Sequence, residues 1–199
     1  MNTTHVLYLH GFRSSPKSTK ALMMAQRLRR EHPKVHWCCP QLPASPRQTM
    51  AKLLAGVAAW PREQMVVMGS SLGGFYAARL ANELGCKAVL LNPGVRPARD
   101  LKDQVGVHKP WHEAQGEFVF REEYLDQLRE LEIVALAHPA RVLAIIAKGD
   151  ELLDWQEMTT RYAGARIKLL PESDHGLSDF AEHLDEILAF LFPSQDNRV

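Results

Sequence analysis

The segment Val66 Val67 Met68 Gly69 Ser70 Ser71 Leu72 Gly73 Gly74 constrains this chain most, because it joins an apolar run to a helical pattern through a G-x-S-x-G turn. A turn of this kind, placed between a strand and a helix, is a nucleophile elbow. Gln64 to Met68 is short, β-branched and apolar and reads as a strand, while Leu72, Phe75, Tyr76, Leu80 and Leu84 recur at helical spacing. A chain bent this tightly has no room for side chains beside the bend. Gly69 and Gly73, two residues either side of Ser71, leave that room, and glycine also reaches backbone conformations closed to other residues. Ser71, not Ser70, is the centre of the motif. A serine hydroxyl is a poor nucleophile unless it is held exposed beside a base, and a turn at the carboxyl edge of a sheet presents it that way. The competing reading is a Gly/Ser turn that only connects two elements.

Around the motif, strands and helices alternate. The pattern predicts strands over 4–9, 35–39, 64–68, 87–91, 141–147 and 166–170, with helices over 18–31, 47–59, 72–84, 155–162 and 179–191. Strand–helix alternation of this kind implies an α/β fold, a mainly parallel sheet with helices on both faces. Ser18 and Ser178 fit as N-caps, and Gly85 as a helix stop. With 199 residues, 46% of them apolar, the chain can bury one substantial core, and no stretch resembles a linker between domains. A single domain is expected. The rhythm breaks between Arg96 and His138, since after Leu91 no core strand returns for about fifty residues. That stretch holds Trp111, Phe118, Phe120 and Tyr124 and a helical pattern over 122–131.

A serine nucleophile needs a base, an acid that orients the base, and donors for the developing oxyanion. With the nucleophile on an elbow, the chain order is Ser, then Asp or Glu, then His. Val142 to Ala147 reads as a buried strand followed at once by Lys148 Gly149 Asp150 Glu151, which makes Asp150 the expected acid. Asp154 stands where the next helix begins and fits an N-cap, and Glu151 ranks behind both. The strand over 166–170 runs into Pro171 Glu172 Ser173 Asp174 His175 Gly176, and His175 is the expected base. Two backbone N–H groups, of Phe12 after the first strand and of Leu72 at the start of the elbow helix, are the expected oxyanion donors, each worth about 3–4 kcal/mol of transition-state stabilisation. The positive end of the helix dipole adds to the second. His10 is read as a brace for the Phe12 loop. Asn92 and Pro93, at the end of the fourth strand, are expected to face the substrate pocket, with Trp111 as a further wall.

Other chemistries are disfavoured. Lys and Arg number 24 against 23 Asp and Glu, a net charge of +1, so neither nucleic acid nor an anionic membrane is indicated as a partner. His108 and His112 are four residues apart, but Pro110 between them opposes a helix that would place both on one face, so no metal is expected. Cys38, Cys39 and Cys86 have no metal-ligand spacing, and Cys38 and Cys39, on the second strand, read as buried inert thiols. The first residues lack a basic signal-peptide region and no apolar run reaches 18 residues, so a cytoplasmic protein is expected. A carboxylate-nucleophile hydrolase would need Asp at position 71. No cofactor is expected.

Together, Tyr8 Leu9 His10 Gly11 Phe12, Pro40 Gln41 Leu42 Pro43, the elbow through Gly74, Asn92 Pro93 Gly94 Val95 Arg96 Pro97, Gly149 Asp150 Glu151 and Asp174 His175 resemble the small YqiA-type esterases of the α/β-hydrolase superfamily. The likeness runs along nearly the whole chain. It implies a bacterial cytosolic serine esterase acting on a small-molecule substrate, an aryl ester or an acyl-CoA thioester, through an acyl-enzyme. It also implies that the insertion over 96–138 caps the acyl pocket. Phe75 stands where the family commonly has Tyr, and Gly106 to Phe120 is individual to this chain. Amide hydrolysis by the same machinery, and binding by an inactive relative of the fold, are the rival readings.

Overall fold

A computed structural model describes residues 3–109 and 117–193. Six parallel strands form the central sheet: β1 (His5–Leu9), β2 (His36–Cys38), β3 (Met65–Ser70), β4 (Lys87–Leu91), and, past a two-stranded antiparallel pair β5 (Gly106–His108) and β6 (Phe118–Phe120), β7 (Val142–Ala147) and β8 (Arg166–Leu170). Their spatial order is β2-β1-β3-β4-β7-β8. The helices are α1 (Thr19–Glu31), α2 (Pro46–Val57), α3 (Leu72–Leu84), α4 (Pro97–Asp100), α5 (Glu123–Leu131), α6 (Trp155–Arg161) and α7 (Leu184–Leu191).

The alternation of side chains along a strand sorts the core into two layers. Val6 and Tyr8 of β1, Val66 and Met68 of β3, and Leu143 and Ile145 of β7 pack on one face with Ala21, Met24 and Leu28 of α1 and Ile187 and Leu191 of α7. Leu7, Leu9, Val67 and Ala144 point the other way, onto Met50 and Leu53 of α2, Leu80 of α3, Leu128 of α5 and Met158 of α6. Because both faces are covered, β3 and β7 are buried at every position, which is why they read as continuous apolar runs rather than alternating ones.

Several boundaries differ from the sequence reading, each for a local reason. β3 runs on to Ser70, since Gly69 and Ser70 still pair with Leu90 and Leu91 of β4. α2 starts at Pro46, the first helical position, where proline's missing N–H costs nothing, and Ser45 caps it by accepting from Gln48 N. The last helix is interrupted. Ser178 is not its cap, because Ser178 N donates to Asp174 Oδ1 within the preceding turn, and a 3-10 turn over Phe180–His183 precedes α7. The stretch between β4 and β7 holds the predicted helix as α5, and also α4 and the β5–β6 pair, which the sequence did not reveal. Trp111 and His112 lie outside the described residues.

Candidate active site

Ser71 connects β3 to α3 with φ 55° and ψ −120°, a left-handed conformation uncommon for any residue with a Cβ. The glycines of the motif are required by contact. A Cβ on Gly69 would lie 2.1 Å from Gly73 O, one on Gly73 would lie 2.0 Å from Leu9 O, and one on Gly74 would lie 2.9 Å from Pro93. The elbow therefore nests against both β1 and the chain after β4. Ser71 N donates to Leu91 O at 3.0 Å, and Ser71 O accepts from Gly94 N at 3.0 Å and Phe75 N at 3.1 Å, so the strained residue is held on both sides.

The structure brings Ser71, His175 and Asp150 together across 104 and 25 residues of chain. His175 Nε2 is 3.1 Å from Ser71 Oγ, and His175 Nδ1 is 2.8 Å and 3.0 Å from the two oxygens of Asp150. An ionised carboxylate only accepts, which places the proton on Nδ1 and leaves Nε2 free to accept from the serine hydroxyl. The Asp150 side chain is fully buried, and its Oδ1 also accepts from Leu152 N at 2.9 Å and Leu153 N at 2.8 Å. The rival carboxylates are occupied elsewhere. Asp154 caps α6 by accepting from Gln156 N at 2.8 Å, and Glu151 Oε2 accepts from His175 N at 3.0 Å.

His10 is buried and braces its loop: Nε2 accepts from Leu42 N at 3.2 Å, so Nδ1 donates to Gly11 O at 3.0 Å. Phe12 follows, its ring held edge-on by His108, Phe118 and Phe120 at centroid distances of 5.3, 5.7 and 5.2 Å. Leu72 is the first residue of α3, so its N–H has no acceptor within the helix.

Ser71, His175 and Phe12 share a cavity of about 630 Å³. Tyr8, Met23, Phe180, Leu101, Leu152 and Leu153 line it. Two of the expected wall residues are not there. Asn92 is wholly buried, with its side chain bonded to Ala147 N, Asp174 O and His175 O, and so cannot face a ligand. Pro93 packs against Gly74 behind the elbow. Position at a strand end suggested both; the turn of the chain at Asn92, where φ is 39°, aims the side chain inward. Trp111 lies outside the described residues. Sequence reasoning also missed Lys20, a wall residue whose Nζ donates to Gly176 O beside the histidine. Burial holds its pKa below the usual lysine range, with Asp174 pulling the other way. A lysine in the first turn of an amphipathic helix carries no signal of such a contact. Burial likewise raises the carboxyl pKa of Asp100, another wall residue. Among the described residues, no group of three His, Cys, Asp or Glu side chains is placed to hold a metal ion, and no helix is long and apolar enough to cross a membrane.

The comparison with known sequences falls on this framework. The profile of an uncharacterised protein family (UPF0227) matches residues 5–192, which spans every element that builds the cavity. The chain belongs to the UPF0227 family. This is the family to which the YqiA-type resemblance pointed. Among its relatives, a UPF0227 protein from Serratia proteamaculans is 25% identical over 193 residues, covering 93% of this chain and 97% of its own. One from Yersinia pseudotuberculosis is 26% identical over 197 residues with the same coverage. This UPF0227 chain also superposes on solved structures. A structure from work on LipS and LipT, two metagenome-derived lipolytic enzymes, matches with TM-score 0.68 and 18% identity, over 96% of this chain and 94% of that one. Est1E from Butyrivibrio proteoclasticus with ferulic acid bound matches with TM-score 0.66 and 14% identity, over 96% and 87%. At such identities the likeness establishes the fold, that of the α/β-hydrolases.

Proposed function

We propose that this protein is a serine esterase that hydrolyses carboxylic esters and thioesters of small molecules through an acyl-enzyme on Ser71. The observation that carries the reading is the hydrogen-bonded line from Ser71 Oγ through His175 to the buried Asp150, standing open to the cavity. His175 takes the proton of Ser71 as Oγ attacks the carbonyl carbon, and Asp150 fixes the ring and balances the imidazolium. The negative charge on the carbonyl oxygen falls to the N–H groups of Phe12 and Leu72. The tetrahedral intermediate collapses as His175 gives its proton to the leaving alcohol or thiol. Water then attacks the acyl-enzyme with His175 again as base, and Ser71 is regenerated. Every atom of this cycle comes from substrate, water and the chain.

The described residues of the insertion cap the site in this reading, since Asp100, Leu101 and Gln104 wall the cavity and Phe118 and Phe120 pack on Phe12. The whole chain then acts as one domain with an inserted cap. Names of the structural neighbours, lipolytic enzymes and an esterase among them, agree with ester chemistry. The test is hydrolysis of p-nitrophenyl esters from acetate to palmitate, with a butyryl thioester in parallel, by wild type, Ser71→Ala and His175→Ala. Turnover lost in both variants with folding intact is the expected result, and the chain-length optimum sizes the cavity. Wild-type rates no better than those of the variants on every ester would remove the esterase reading and favour amide substrates or binding.

A further inference from the structure

Asn92 is the residue in which the three loops of the site meet. It directly follows β4, and its backbone N donates to Ile145 O of β7 at 3.0 Å. Its side-chain Oδ1 accepts from Ala147 N at 2.8 Å, three residues before Asp150. Nδ2 donates to Asp174 O at 2.9 Å and to His175 O at 3.1 Å. The residues on either side grip the elbow, Leu91 O accepting from Ser71 N and Gly94 N donating to Ser71 O. One buried amide thus ties the strand that delivers the acid to the turn that delivers the base, from a segment already bonded to the nucleophile.

We propose that Asn92 is a positioning residue that sets the Asp150–His175–Ser71 geometry, a role that rests on the hydrolase reading above. The side-chain chemistry is specific. Two carbonyls require two donors and one backbone N–H requires an acceptor, and among side chains of this size only Asn offers that set. Asn also tolerates the φ of 39° better than other residues with a Cβ. Glu151 and Lys20 also bond the histidine turn, at His175 N and Gly176 O. Asn92 holds the turn's backbone carbonyls from a fully buried place, where hydrogen bonds are strongest.

Asn92→Asp replaces the two donors with an acceptor and keeps the acceptor for Ala147 N, so it repels the carbonyls of Asp174 and His175 while preserving shape. Asn92→Gly suits the backbone and simply removes the tie, which covers the case in which a buried carboxylate prevents folding. Asn82→Asp is the matched control, since Asn82 makes the same kind of double contact, to Ala135 O and Ala137 N at 2.8 Å each, away from the cavity. With p-nitrophenyl acetate, the folded Asn92 variants are expected to lose about a hundredfold in kcat with KM nearly unchanged, as misplaced catalytic groups do. The downfield proton resonance of His175 Nδ1–H, bonded to Asp150, should vanish by exchange in the Asn92 variants and persist in Asn82→Asp and Ser71→Ala. Folded Asn92 variants that keep both kcat and this resonance would overturn the proposal, as would an equal loss in Asn82→Asp. If wild type hydrolyses no ester faster than Ser71→Ala, the hydrolase reading fails instead, and the resonance still decides whether Asn92 holds the histidine.

Discussion

At the scale of single residues, Ser71 carries strain that the rest of the elbow exists to sustain. Its left-handed backbone costs about 1–3 kcal/mol for a residue with a Cβ, against little for glycine. Ser71→Gly should therefore be more stable than Ser71→Ala by about 1 kcal/mol, after glycine's greater freedom in the unfolded chain is set against the strain. Thermal unfolding of the two variants reads this as a difference of about 2–4 °C. Equal melting temperatures would mean that the strain is relieved elsewhere. The cysteines give a second prediction. Burial pushes the thiol of Cys39 up to about 12 and that of Cys86 up to about 11, so both stay protonated at neutral pH. Alkylation by iodoacetamide should be slow at both in the native protein and fast in denaturant, with labelling at the two positions read by mass spectrometry. At this scale the sequence was informative where chemistry imposes spacing. That Ser71, Asp150 and His175 lie together was legible because the elbow and the chain order leave few choices. Asn92 was placed on the wrong side of the wall because a side chain's direction at a strand end depends on one dihedral angle that no pattern records.

Among the elements, the β5–β6 pair matters beyond its size. Its strands are three residues each, too short to show a period, so sequence patterning could not find them. Yet Phe120 is almost wholly buried, and with Phe118 it holds the ring of Phe12. Phe120→Ala should cost about 3–5 kcal/mol, as truncation of a buried aromatic does. It should also lower kcat, because the loop that carries the Phe12 N–H then loses a wall, whereas a purely structural role would leave kcat per folded molecule unchanged. Denaturant unfolding beside initial rates separates the two. Capping was legible in part: Gly85 ends α3 in the left-handed conformation, but Ser18 stands at the N-cap of α1 without a side-chain cap bond and Ser178 caps no helix. Asp154 was read as an N-cap from its place before a helical run, and it accepts from Gln156 N. The 3-10 turn that interrupts the last helix was not readable, since Leu177 at φ 48° and the Ser178 to Asp174 bond are set by contacts of the histidine turn rather than by helix propensity.

Over the whole molecule, alternation announced a parallel sheet covered on both faces, but the strand order did not follow from it. β1 lies between β2 and β3, and β4 pairs with β7 across the long insertion, an order hidden from sequence because apolar runs such as Val66–Met68 and Leu143–Ala147 are chemically interchangeable as neighbours. One edge is marked by charge. Edge strand β8 carries Arg166 and Lys168, which pair with Glu186 of α7 at 2.9 and 2.7 Å and so tie the rim of the sheet to the helix that covers it. Lys168 holds the carboxyl of Glu186 below the usual glutamate range, as Arg99 does for Glu157, Arg141 for Glu63, and the Ser178 N–H for Asp174. A carboxyl whose pKa is lower folded than unfolded binds fewer protons in the folded state, so its stabilisation is present above the unfolded pKa and is lost as pH falls through the folded one. Glu31 and Asp179 are also held low, whereas Asp100, raised by burial, works in the opposite direction. The melting temperature should therefore fall as pH is lowered from about 5 toward 3, the range in which ordinary carboxyls and then these depressed ones take up protons. Glu186→Gln should be less stable than wild type at pH 7 and should show a shallower decline, the two curves converging at the acid end. Parallel curves would mean that the rim pair contributes nothing and that acid sensitivity arises at the other carboxyls.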